Sequence, residues 1–74
     1  GVALFDAKRL DEAVAQFREV LRQRPDLVQT HFNLATALES QHRTNEAVQV
    51  YRDVLRLEPG SAKAQARLRV LTGP

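Results

Sequence analysis

Two stretches of this chain are nearly the same text. EAVAQFREVLRQRPD runs from Glu12 to Asp26, and EAVQVYRDVLRLEPG runs from Glu46 to Gly60, 34 residues later. At that lag Ala3 meets Ala37, Leu4 meets Leu38, and Arg9 meets Arg43. Glu12, Ala13 and Val14 meet Glu46, Ala47 and Val48, and Val20, Leu21 and Arg22 meet Val54, Leu55 and Arg56. Arg18 meets Arg52, Pro25 meets Pro59, and Phe17 meets Tyr51, an aromatic for an aromatic. Eleven of the first twenty-five residues are identical at this spacing. A period of ~20–50 residues marks a repeat array, in which each unit buries its apolar face only against its neighbours.

Both copies carry a helical period. Leu10, Ala13, Val14, Phe17, Val20 and Leu21 recur at spacings of three and four, as do Ala47, Val48, Tyr51, Val54 and Leu55. Asp11, and Thr44 or Asn45, are candidate N-caps. Pro25 and Pro59 end the two helices, since proline lacks an amide hydrogen and clashes with the preceding turn. Arg22, Arg24 and Arg56 fall near the C-termini, where the helix dipole favours cations. A further helical run covers about Val28 to Gln41, with Phe32, Leu34, Ala35 and Leu38 apolar. The polar HRTN of residues 42–45 reads as a tight turn, and Asp6 to Arg9 precedes the first long helix in the same way. A last helix runs from Ser61 or Ala62 to Thr72, with Ser61 as N-cap and Gly73–Pro74 as its stop. Short loops make successive helices antiparallel. The expected order is half a helix followed by four helices, so the chain begins inside a repeat and reads as a segment of a longer array.

This pattern resembles the tetratricopeptide repeat, W-x2-L-G-x2-Y, then A-x3-F, then P. The middle unit supplies His31, Leu34, Ala35, Leu38, Ala47, Tyr51 and Pro59, and the first, truncated unit supplies Gly1, Leu4, Ala13, Phe17 and Pro25. The tryptophan site holds histidine, the glycine site holds alanine once, and the tyrosine site holds leucine twice. The resemblance covers nearly the whole chain. It implies an all-α domain of antiparallel helix-turn-helix repeats that form a short right-handed superhelical solenoid. Residues 1–26 would be the truncated first repeat, 27–60 a complete repeat, and 61–74 a C-terminal capping helix. In that last helix Leu68 fits the repeat, but Arg69 stands at the small-residue site where the next helix would approach. An amphipathic helix that shields the final repeat from water has this form.

Size and composition exclude other classes. A 74-residue chain is one small domain, and without cysteine it has neither disulfide staples nor thiolate chemistry. Absence of cysteine fits either redox compartment, with a slight preference for the cytoplasm. No apolar run reaches the ~18 residues of a membrane span. Net charge is +2, split as −1 over residues 1–60 (eight Lys/Arg, nine Asp/Glu) and +3 over residues 61–74 (Lys63, Arg67, Arg69). The remaining bases alternate with acids, as in Arg18-Glu19 and Arg52-Asp53, unlike the broad basic stripe of a nucleic-acid binder. No glycine-rich phosphate loop is present, and Ser40 and Ser61 sit at a helix end and a cap. His31 and His42 lie about 16 Å apart along a helix at the usual rise, too far to share a metal. His31 reads as a packing residue. No catalytic residues, cofactor or metal site is expected.

The remaining function is interaction. In tetratricopeptide proteins the first helix of each pair lines a concave wall. The resemblance puts residues 2, 5 and 6, then 29, 32, 33, 36, 39 and 40, then 63, 66, 67 and 70 on that wall. Phe5, Gln29, Phe32, Asn33, Thr36, Lys63 and Arg67 form the expected peptide-binding groove. One subset of the family grips the C-terminal carboxylate of chaperone tails, and Asn33, Lys63 and Arg67 sit at matching positions. Lys63 and Arg67 are four apart and share a helical face, suited to charge-assisted bonds to a carboxylate. The clamp is incomplete, because Val2 holds the place of a further asparagine and its lysine site precedes Gly1. The expected partner is a protein or peptide with an acidic C-terminus, with neither nucleic acid nor membrane insertion. The alternative is a scaffold or self-association segment joined through its apolar ends, around Leu4, Ala13, Val14 and Phe17 on one side and Val70 and Leu71 on the other.

Overall fold

The computed structural model describes residues 7–73 of the chain, and over that range it is all-α. Phe5, and with it Val2, Leu4 and Asp6, lie outside the described residues, as does Pro74. Four helices follow one another: α1 (Ala7–Gln23), α2 (Val28–Ser40), α3 (Thr44–Leu57) and α4 (Ala62–Thr72). Each packs chiefly against its neighbours in sequence, α1 on α2, α2 on α3 and α3 on α4. That nearest-neighbour packing is the arrangement of a helical repeat array.

The apolar positions of the repeat make the core. Val14 enters from α1, Leu34, Ala35, Ala37 and Leu38 from α2, Ala47, Val50, Tyr51 and Val54 from α3, and Ala64 from α4. Tyr51, Leu38 and Val54 are the largest side chains almost wholly removed from water. The burial of each of the two aliphatic ones, Leu38 and Val54, contributes about 1.5–3 kcal/mol. Ala35, Ala47 and Ala64 are fully buried, so the helices meet at residues without bulk. Val14 is covered too, so the apolar face expected to lie open on α1 is partly closed, with Ala13 and Phe17 half-buried.

The helix ends differ in part from the expectation. Pro25 and Pro59 each lie two residues beyond a helix terminus, as read from the sequence. Ser61 caps α4, its Oγ accepting from the Ala64 amide at 3.3 Å. Gly73 ends that helix by donating to the Arg69 carbonyl at 2.7 Å, and a Cβ there would collide with the same carbonyl. Asp11, however, is not a cap. It lies inside α1, which is already helical at residues 7–9, where a turn was expected. Nor do Thr44 and Asn45 cap α3; the turn is only Gln41–Arg43, and both fall inside the helix.

The contrast between those two regions has a physical cause. At the end of α2, His42 takes a left-handed conformation, φ 62°. Its amide donates to the Glu39 carbonyl at 2.9 Å, and the Arg43 amide donates back to the Leu38 carbonyl at 2.9 Å. These two bonds form a Schellman closure. Histidine is among the residues that tolerate this backbone. The equivalent position in the first unit is Lys8, flanked by Ala7 and Arg9, all good helix formers, and α1 runs straight through.

The repeat also duplicates a loop contact. His31 is buried and its Nε2 donates to the Pro25 carbonyl at 2.9 Å. One period later Gln65 donates from Nε2 to the Pro59 carbonyl at 3.0 Å. Residues 31 and 65, and prolines 25 and 59, are each 34 apart. A side-chain donor at the degenerate tryptophan site thus holds the proline loop in both units, and His31 packs as expected while also bonding.

Candidate functional site: the groove between α2 and α4

α2 and α4 are the corresponding helices of successive units, and their side chains face one another across α3. The groove row of α2 is Gln29, Asn33 and Thr36, all exposed, with Phe32 half-buried between them, at the three-and-four spacing that keeps residues on one face. α4 contributes Lys63, Ala66 and Arg67. Two adjoining hollows run along this line. One, of about 740 Å³, is bordered by Gln29, Phe32, Asn33, Thr36 and Lys63 together with the α3–α4 loop. The other, of about 520 Å³, is bordered by Phe32, Thr36, Glu39, Tyr51, Lys63 and Arg67. Phe32, Thr36 and Lys63 line both, so the hollows are continuous.

Six of the seven expected site residues therefore stand along one groove: Gln29, Phe32, Asn33, Thr36, Lys63 and Arg67. The seventh, Phe5, lies outside the described residues. Phe32 meets Tyr51 edge to face, with ring centroids 5.7 Å apart, giving the groove an aromatic floor. The Asn33 carbonyl oxygen accepts from Gln29 Nε2 at 3.1 Å, and Thr36 Oγ1 donates to the Phe32 carbonyl at 3.0 Å. Among the described residues the Asn33 side-chain amide nitrogen has no acceptor, so it can donate into the groove.

At the other end of the groove, Glu39 changes the electrostatics. Its carboxylate takes Nη2 of Arg67, and Arg67 Nε lies 3.4 Å from its second oxygen. The Tyr51 hydroxyl donates to that same oxygen. Glu39 is largely buried, at 18% side-chain exposure, while Arg67 keeps 43%. Burial pushes the Glu39 carboxyl up, but the hydrogen bonds from Arg67 and Tyr51 outweigh it and hold it below its usual 4.5. Burial, and then the carboxylate, keep the Tyr51 phenol above its usual 10.0, so it stays a donor. Lys63, one turn before Arg67, has no ion pair among the described residues.

Position 39 is on the wall in the sequence reading, but the Glu39–Arg67–Tyr51 cluster is not foreseen there. A signal for it exists. Tyr51 is the chain's one tyrosine, at a core position, and a buried phenol needs an acceptor. Glu39 stands two turns after Phe32 on the groove face.

The chain matches the family model described as tetratricopeptide repeat over residues 4–69. The chain belongs to the tetratricopeptide repeat family. The match spans most of the sequence, covering α1, α2 and α3 and all but the last turn of α4. No match was found among curated proteins or among solved structures. Tetratricopeptide repeats are non-catalytic scaffolds for protein interaction, and this chain is a member in both sequence and helical arrangement. Among the described residues there is no group of three or more metal-ligating side chains. Also among them, no helix is long and apolar enough to cross a membrane.

Proposed function

We propose that this tetratricopeptide segment binds a peptide, or an extended segment of a partner protein, in the groove between α2 and α4. In this reading residues 1–26 are the tail of one repeat, 27–60 a full repeat and 61–74 a cap, and the stacked units begin a right-handed superhelix whose concave wall is the groove. One observation carries the proposal. Phe32, a half-buried aromatic at the groove floor, and Lys63, a cation with no ion-pair partner among the described residues, border the same hollows. An apolar floor beside an unpaired cation suits a ligand with an apolar side chain and an acidic group. Gln29 and Asn33 extend the polar rim and offer amide donors to a peptide backbone or a terminal carboxylate.

The test is amide NMR of the labelled chain, titrated with a short acidic peptide bearing a free C-terminus. An amidated peptide serves as the control. Shifts confined to Gln29, Phe32, Asn33, Thr36, Lys63 and Arg67 support the groove, and their loss with the control assigns the terminal carboxylate as a contact. A well-dispersed spectrum that does not move for either peptide rejects the reading.

A second reading, self-association through the apolar ends, is favoured by one residue. Val70 is 67% exposed at the outer end of α4. Arg69 works against close stacking of another helix there, since it replaces the buried Ala35 of the preceding unit. A mass that falls on dilution, and becomes constant in Val70→Lys, would support end-to-end assembly; a single monomeric mass at all concentrations would reject it.

A further inference from the structure

Within the proposed groove, the chain supplies a carboxylate of its own. Glu39 holds Arg67 through both the Nη2 and Nε sides of the guanidinium and is itself held by the Tyr51 hydroxyl. An arginine fork presents its two parallel donors to one carboxylate at a time. A ligand carboxylate reaches the Nε–Nη2 edge only by displacing Glu39, and at the remaining Nη1 edge it meets a guanidinium whose charge Glu39 already balances. Displacement would leave a largely buried carboxylate short of donors and strand the hydroxyl of Tyr51, a residue only 2% exposed. If Glu39 stayed, it would repel the incoming charge. Lys63 is under neither constraint. It is exposed, has no ion-pair partner among the described residues, and borders the same hollow as Phe32 and Ala66.

We infer that Glu39 determines specificity in this groove: it occupies Arg67 and leaves Lys63 to select ligands with one acidic group next to an apolar side chain, not ligands with paired carboxylates. This rests on the peptide-binding reading above and narrows its ligand. The groove then has two cations in the sequence and one in its chemistry. The preferred occupant is a peptide whose aromatic or aliphatic residue lies against Phe32 and Ala66 and whose neighbouring glutamate or aspartate meets Lys63. A second acid finds Glu39.

The experiment uses two hexapeptides blocked at both ends. One carries a phenylalanine followed by one glutamate, and the other the same phenylalanine followed by two glutamates four residues or fewer apart. Affinities for the native chain, Glu39→Gln, Tyr51→Phe and Lys63→Ala are read by isothermal titration calorimetry. Melting curves confirm that each variant is folded at the working temperature. The native chain is expected to bind the one-acid peptide about five- to tenfold more tightly than the two-acid peptide, because the second acid meets Glu39, and Lys63→Ala to weaken both about tenfold, the scale of one lost hydrogen bond to a charged group. Glu39→Gln is expected to tighten the two-acid peptide about tenfold and leave the one-acid peptide unchanged, because a neutral amide releases the Arg67 fork. Tyr51→Phe keeps the charge at Glu39 but removes one of its donors, so it should move the peptide ratio far less than Glu39→Gln does. The ratio of the two affinities within one variant cancels general effects on folding. If Glu39→Gln binds peptide and that ratio matches the native value, the role of Glu39 is overturned while the groove stands. If neither the native chain nor Glu39→Gln binds either peptide, the groove reading falls and takes this inference with it.

Discussion

His42 offers the sharpest stability test, because its effect has a definite sign and its side chain is exposed. At φ 62° it holds the turn between α2 and α3 in a left-handed conformation, which costs an L-residue roughly 1–2 kcal/mol. Histidine is better tolerated there than most, so the lower end applies. Replacing it with glycine removes that strain and leaves the two closing bonds, from the amides of residues 42 and 43, intact. Glycine is also freer in the unfolded chain, an opposing cost of about 0.4–1 kcal/mol. The difference predicts that His42→Gly stabilises the fold by about 0.5 kcal/mol, a rise of about 2–4 °C in Tm for a domain of this size. His42→Asn should lie close to the native value, and His42→Val well below it, since a β-branched residue is a poor fit to positive φ. Thermal melts followed by circular dichroism would rank the set. If His42→Gly melts below the native chain, or His42→Val matches it, the left-handed turn is not what limits this junction.

Other consequences follow from burial and bonding. Leu38→Ala should cost about 2–5 kcal/mol by leaving a cavity between α2 and α3. Against a total of about 4–11 kcal/mol for a chain of this length, urea denaturation should find it close to unfolded, and Leu34→Ala nearly as damaged. Leu55, only partly buried, should lose less on the same substitution; equal losses at all three sites would contradict the assigned core. Ser61→Ala should lower stability by about 1 kcal/mol, read from the same curves, and Ser61→Asp should restore most of it as an alternative cap. The carboxyls of Glu39 and Glu46 both lie below their usual 4.5, so the stability they contribute is complete above about pH 4.5 and is lost as pH falls through their lowered folded values. An acid titration of helicity should show Glu39→Gln losing less stability than the native chain below pH 4.5; parallel curves would remove Glu39 from the acid response.

What the sequence made legible, and what it hid, divides along a physical line. The 34-residue identity carries the core, because apolar packing is set by position: Ala13 and Ala47, Val14 and Val48, Phe17 and Tyr51 recur in register, and the helices follow. The expected groove row on α2 and α4 came from the resemblance to the family, laid onto the same repeat. Side-chain chemistry does not repeat in this way. Glu39 has Phe5 at its counterpart in the first unit, so the lag that locates the core gives no warning of a carboxylate there. Its partner Arg67 lies 28 residues away, off the repeat period, and the bond depends on α4 folding back over α3. The turns behave likewise. Thr44 and Asn45 have the composition of caps, yet Arg43 stands at the N-cap of α3 with its guanidinium turned onward to Glu46, at 2.5 and 2.8 Å. Arg18 of α1 reaches the same carboxylate at 3.0 Å. Arg43 also meets Gln41, whose amide donates to Asp11, so the residue expected to cap α1 instead ties that helix to the α2–α3 turn. Glu46 and Glu39 are thus each held by bases from more than one place in the chain or by a base and a phenol, one on the turn side and one in the groove. A repeat array specifies which surfaces meet; the charges laid over those surfaces decide which side chains stay unpaired, and in the proposed groove Lys63 has no ion pair among the described residues.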